Sequence, residues 1–222
     1  MQERNNPTSP KPVVPTPTPD LAATLLRVAW AAILLGLAME AILILLGTGF
    51  GEALGLGKIT ADLVKNVSWS LLVCGGLAVG TTIAKARLPL AGLAGLLAAP
   101  VAFEVSRVLH KGTLEMVSAS GGGVEGASPF VIAVVKGLEY GVLGIAITWL
   151  AQRSWAGAMA YALTGLLIGV LFGGAILTLT LGATPQMSTG ALVSQAVNEI
   201  LFPVGCALVL FSANTLGKRM AR

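Results

Sequence analysis

The chain has 222 residues, of which 55% are hydrophobic, 11% are charged and 28 are glycine. A soluble globular domain carries about 25% charged residues, so this chain has too little polar surface to stay in water and reads as an integral membrane protein. The formal net charge of +4 comes mostly from basic residues in short loops and at the tail ends, a distribution that reports orientation across a bilayer and argues against nucleic acid as a partner.

Residues 1–20, MQERNNPTSPKPVVPTPTPD, hold six of the eleven prolines and no apolar run. With no apolar surface to offset the entropy of ordering, a disordered, polyproline-like cytoplasmic tail is expected. Its PxxP spacings, Pro7 to Pro10 and Pro12 to Pro15, match an SH3-type ligand only weakly, and a solvated leader is the simpler reading. No secretory signal is expected, because the tail lacks an apolar region and the first apolar run lacks a small-residue cleavage site.

Six apolar runs follow, each near the about 20 residues that a bilayer requires. The predicted spans are Leu21 to Gly47, Leu63 to Ala84, Pro89 to His110, Pro129 to Ala151, Ala156 to Gly182 and Leu192 to Asn214. None shows the alternating segments of an outer-membrane barrel. The fold class is therefore all-α: a polytopic membrane domain over 21–216, six helices arranged as three hairpins at about 21–84, 89–151 and 156–214, and a basic C-terminus at 217–222. Ser128 suits an N-cap and Pro129 the first helical position, so the fourth span has the best-marked start.

Loop lengths alternate. The connections KARL and QRSW are short and carry Lys85, Arg87 and Arg153; the other three are longer, with Glu52, Asp62, Glu115 and Glu125 nearby. Counting the tails, nine of fourteen Lys and Arg lie on the side of the short loops. The positive-inside rule then puts both termini in the cytoplasm, with a bacterial inner membrane or its equivalent as the location. Trp149 and Trp155 flank the QRSW loop, where interfacial indoles are expected.

Short patterns recur between spans. AMEAIL (38–43) resembles AFEVSR (102–107), and LVKNVSWSLLVCG, VVKGLEYGVLG and AVNEILFPVGCAL align in the returning spans. Three parallel hairpins about a pseudo-threefold axis are one reading; chance similarity among Ala, Gly and Leu runs is the other. Glycines at four-residue spacing, Gly165, Gly169 and Gly173, Gly76 and Gly80, Gly137 and Gly141, make smooth stripes for close helix packing. Pro100 and Pro203 fall inside spans, where each removes a backbone hydrogen bond. Cys74 and Cys206 sit in apolar runs without a CxxC motif and read as small buried hydrophobes.

Glu40, Glu104, Arg107, Lys136, Glu139 and Glu199 all lie within predicted spans; the five other than Arg107 fall at similar depth in the half away from the cytoplasm, with Lys65 and Arg107 nearer the surface on that side. A charge at the bilayer centre costs about 2.5–3.5 kcal/mol on insertion scales, so these groups must pair, snorkel or face water. Lys136, Glu139 and Tyr140 share a helix face, as do Glu104 and Arg107. Glu199 has no basic neighbour in sequence, which makes it the carboxylate expected to remain after pairing, with Asn198 and Gln195 beside it. His110 reads as an interfacial residue.

No phosphate-binding loop, HExxH, GxSxG or zinc cluster is present; SGGGVEG (120–126) is a flexible connector. No catalytic residue, metal or cofactor is expected. Two functions remain. The first is a small channel or carrier that moves an ion or polar solute past the intramembrane charges. The second is a non-catalytic scaffold or accessory subunit in which those charges are structural ion pairs. The partners expected are lipid and either a second copy of the chain or another membrane protein.

Overall fold

The structure is a computed structural model that describes residues 21–51, 55–83, 88–117 and 128–220. The proline-rich tail, Glu52, the loop with Lys85 and Arg87, the SGGGVEG connector with Glu125, and Arg222 lie outside the described residues, as do the side chains of Lys218 and Arg219.

The described chain folds into six helices: α1 (Leu21–Gly49), α2 (Leu56–Ile83), α3 (Leu88–Met116), α4 (Pro129–Ala151), α5 (Ala158–Ala183) and α6 (Thr189–Met220). All six are long and apolar enough to cross a membrane. α2 begins at Leu56 rather than Leu63, α3 continues past His110 to Met116, and α6 overruns its apolar window at both ends. Hydropathy marks the stretch that suits lipid, whereas the hydrogen-bonded backbone runs on into flanking polar residues. In α2 the added turns carry Lys58 and Asp62, and Asp62 accepts a hydrogen bond from Lys65 at 2.9 Å. At α4, Pro129 occupies the first turn as expected, but the Ser128 side chain makes no capping bond; its carbonyl accepts from the Ile132 amide instead.

Every consecutive pair of helices packs together, and α6 also packs on α1. Gly76 and Gly80 of α2 meet Ala98 and Ala94 of α3, and Gly165 and Gly169 of α5 meet Val204 and Ile200 of α6, so these neighbours run antiparallel. A methyl group on Gly165 would lie 2.7 Å from the Pro203 carbonyl oxygen, and one on Gly169 2.5 Å from that of Ile200. Side chains at those positions would hold the helices apart, and van der Waals contact is what drives helix association where lipid removes the hydrophobic drive. Gly173 does the same against Glu199, while Gly137 and Gly141 lie against Leu96 and Gly92 of α3.

α2, α4 and α6 also touch one another. They form an inner set, with 44–50% of their apolar windows buried, against 28% for each of α1, α3 and α5. The three inner helices run in the same direction, so their equivalent positions meet at one depth. Trp69 stands edge-on to Tyr140 (5.6 Å between centroids) and to Phe202 (6.4 Å). On the side of this aromatic layer toward the inner helices' C-termini, Val73, Leu77, Leu143, Ile147 and Leu210 make a dry core. Cys74 and Cys206 are buried within it as free thiols with sulfurs 3.2 Å apart.

Candidate functional site

Toward the N-termini of the inner helices, the bundle opens into a cavity of about 490 Å³. α2 and α6 form its length: Lys58 and Ala191 stand at the mouth, and Trp69 and Phe202 at the floor. At about 1.5 Å per helical residue, this is a depth of about 16 Å. α1 contributes Glu40, α3 contributes Phe103, Ser106, Arg107 and His110, and α4 contributes Lys136. α5 lines none of it, so the cavity is displaced from the centre of the inner set toward α1, α2 and α3.

The deepest polar group is Lys136. It donates to Glu139 one turn on, at 2.9 Å, and across the helix boundary to Glu199 of α6. Its ammonium also lies 5.6 Å from the Trp69 ring centre and 5.7 Å from that of Tyr140, within range of the negative ring faces. Pairing, hydrogen bonding and aromatic contact together are what a buried charge requires. Glu199, expected to be the carboxylate without a partner, is therefore paired with a lysine far away in sequence.

Glu40 has that unpaired role. It is 5% exposed, and one of its oxygens accepts from Asn66 of α2 at 2.8 Å. It makes no ion pair among the described residues, and its second oxygen takes no hydrogen bond. Closer to the mouth, Asp62 bridges α2 and α3: Lys65 lies 2.9 Å and His110 3.1 Å from the same oxygen. His110 thus serves as a wall residue of the cavity as well as lying near the helix end.

Glu104 does not share the environment of Glu40. Its side chain is 46% exposed and pairs with Arg107 (39% exposed) at 2.7 Å. Only the arginine of that pair lines the cavity. The buried stripe of α3 runs through Ala99, Ala102 and Ser106. At about 100° per residue, Glu104 falls on the opposite side of the helix from Ala102 and Ser106.

Four buried polar atoms have no partner among the described residues: Ser106 Oγ, Glu139 Oε1, Tyr140 OH and Asn198 Oδ1. Ser106 and Asn198 belong to residues of the cavity wall. Gln195, also in the wall, is anchored by its amide to Thr180 Oγ of α5 at 3.1 Å. Among the described residues, no three His, Cys, Asp or Glu side chains gather as a metal site.

The cavity wall carries three carboxylates, Glu40, Asp62 and Glu199, against Lys58, Lys65, Arg107 and Lys136. Of these carboxylates, Glu40 alone makes no ion pair among the described residues. Such a site can accept cations or protons, and its wall atoms can hydrogen-bond a polar guest.

Sequence reading found Tyr140 and most of the charged residues, but not Lys58, Asn66, Ser106, Trp69 or Phe202 as parts of the site. One available signal was the spacing: Trp69, Tyr140 and Phe202 each follow Lys65, Lys136 and Asn198 by four residues. Comparison with known proteins returned no match, since no family model, curated protein or solved structure matches this chain.

Proposed function

We propose that this chain is a membrane carrier for an ion or small polar solute, with the vestibule as its loading chamber. The observation that carries this reading is a cavity of about 490 Å³, with charged and amide side chains set in a largely apolar wall, that stops at the layer of Lys136, Trp69 and Phe202, with a dry apolar core beyond. A continuous water path would favour a channel. A chamber closed at mid-depth fits a carrier that opens to one side at a time.

In this reading the helices span the membrane as three hairpins, and the basic bias of the short loops puts the vestibule on the non-cytoplasmic face. A pseudo-threefold repeat is supported by the inner and outer sets of helices and by the recurring spacing from Lys65, Lys136 and Asn198 to an aromatic residue. The repeat has diverged at its outer helices, where Glu40 faces the cavity and Glu104 does not.

The test is solute flux into liposomes containing the purified full chain. Uptake is expected for wild type and a fall of at least about tenfold for Glu139→Gln or Glu199→Gln, because each changes the charge balance around Lys136. The carrier reading fails if no solute moves, or if both variants transport like wild type. A stoichiometric partner co-purifying with a transport-silent protein would instead favour the accessory-subunit reading.

A further inference from the structure

Resting on the carrier reading of the same vestibule, we infer that its guest is a small organic primary ammonium ion, held at its charged end by Glu40 and along its apolar part by the aromatic floor. Four observations converge on this chemistry. The first is charge. Three carboxylates line the cavity, Glu40, Asp62 and Glu199, and Glu40 alone among them makes no ion pair among the described residues, its only hydrogen-bond partner being the amide of Asn66. Of the lysines and arginine in the wall, Lys65, Arg107 and Lys136 are already held by carboxylates, and Lys58 stands at the mouth, away from Glu40's depth.

The second observation is hydrogen-bond type. The second oxygen of Glu40, a residue of the cavity wall, takes no hydrogen bond among the described residues. An ionised carboxylate only accepts, so it calls for a guest rich in donors, and a primary ammonium carries three N–H groups and no acceptor.

Size is the third. A bare inorganic cation needs far less than about 490 Å³, whereas this volume lies within the range of small-molecule pockets, about 300–1,000 Å³. The fourth is the wall itself. Trp69, Phe103 and Phe202 present rings that can cover an apolar moiety and attract a cation by their negative faces. An anionic guest would meet Glu40 and these faces with the wrong charge.

The experiment is equilibrium binding of radiolabelled 2-phenylethylammonium to the full chain in lipid nanodiscs, with no gradient across the membrane. Saturable binding is expected, with 2-phenylethanol and 3-phenylpropionate each at least about tenfold weaker as competitors, since they keep the ring and chain but lack the ammonium. Glu40→Gln keeps the side-chain shape and an oxygen for Asn66, and is expected to weaken binding by about ten- to a hundredfold with the thermal midpoint of the protein retained.

The inference is overturned if the alcohol or the carboxylate competes as well as the amine, or if the amine does not bind. It is also overturned if a folded Glu40→Gln binds like wild type, or if sodium chloride displaces the probe mole for mole as well as unlabelled amine does. The two readings fail separately. Flux of some solute without amine binding removes only this inference; Glu40-dependent binding in a protein that moves nothing removes the carrier reading and leaves the site.

Discussion

The two halves of the bundle are built from the same six helices and solve opposite problems. In the vestibule half, α1, α2, α3, α4 and α6 bring charged and amide side chains around a cavity, and nearly all of these charges are held by a named partner. In the dry half, the inner helices present Val73, Leu77, Leu143, Ile147 and Leu210, which meet by apolar packing. The change occurs across one layer, where Trp69, Tyr140 and Phe202 close the floor around Lys136. Lys136 thus ties α4 to α6 at the boundary between the halves, with its charge met by Glu139 and Glu199.

That contrast can be broken most directly at Lys136. Lys136→Met removes the only cation between two buried carboxylates, and breaking a buried pair in this way costs about 3–5 kcal/mol. A large fall in thermal unfolding midpoint in detergent or nanodiscs is expected. Adding Glu199→Gln and Glu139→Gln should restore much of it, since the triple variant removes both carboxylates that the lysine had paired; a triple variant as unstable as the single one would show that the lysine acts through packing rather than charge.

A second test sharpens the boundary between wet and dry. Ser194 lines the cavity, whereas Cys74 and Cys206 lie buried beyond its floor. In proteoliposomes, Ser194→Cys is expected to react with a membrane-impermeant methanethiosulfonate reagent, and the native thiols to stay unlabelled while the protein is folded. Equal labelling of Cys74 or Cys206 would mean that water passes the aromatic layer.

The smallest effect is expected at Glu104. Glu104→Gln removes one side of an ion pair whose members are both more than a third exposed, so stability should change by no more than about 1 kcal/mol. A loss comparable to that of Lys136→Met would show that Glu104 belongs with the buried network after all.

Much of the fold was legible because bilayer-length apolar runs are a property of local composition. The six helices, the start of α4 at Pro129 and the glycine stripes all follow from residues near one another in the chain. Helix ends were less legible, as α2 shows: Lys58 and Asp62 are polar enough to hide the first turns from a hydropathy window, yet those turns form the cavity wall.

The candidate site was legible in content and not in pairing. Lys136, Glu139 and Tyr140 share a face because their spacing is helical, and the link between Lys136 and Glu139 was accessible on that ground. The link between Lys136 and Glu199 depends on α4 meeting α6 at one depth, which no local pattern encodes. Glu40 and Glu104 sit in similar short motifs, but Glu104 has Arg107 three residues on, and its helix is rotated so that it does not line the cavity. The rotation of α3 is set by Gly92 and Gly95 approaching Ile145 and the Tyr140 carbonyl of α4, which turns Ala102 and Ser106 inward and Glu104 away.

By itself, then, the sequence determined that this protein is helical, how many apolar helices it forms and which charges must find partners, because those outcomes rest on composition and on contacts within about one turn. The tertiary structure alone decided which carboxylate meets Lys136, which one faces the cavity without a counter-ion and where water-sized space ends. Those outcomes depend on helix rotation and depth, and both are set by close contacts between residues far apart in the chain.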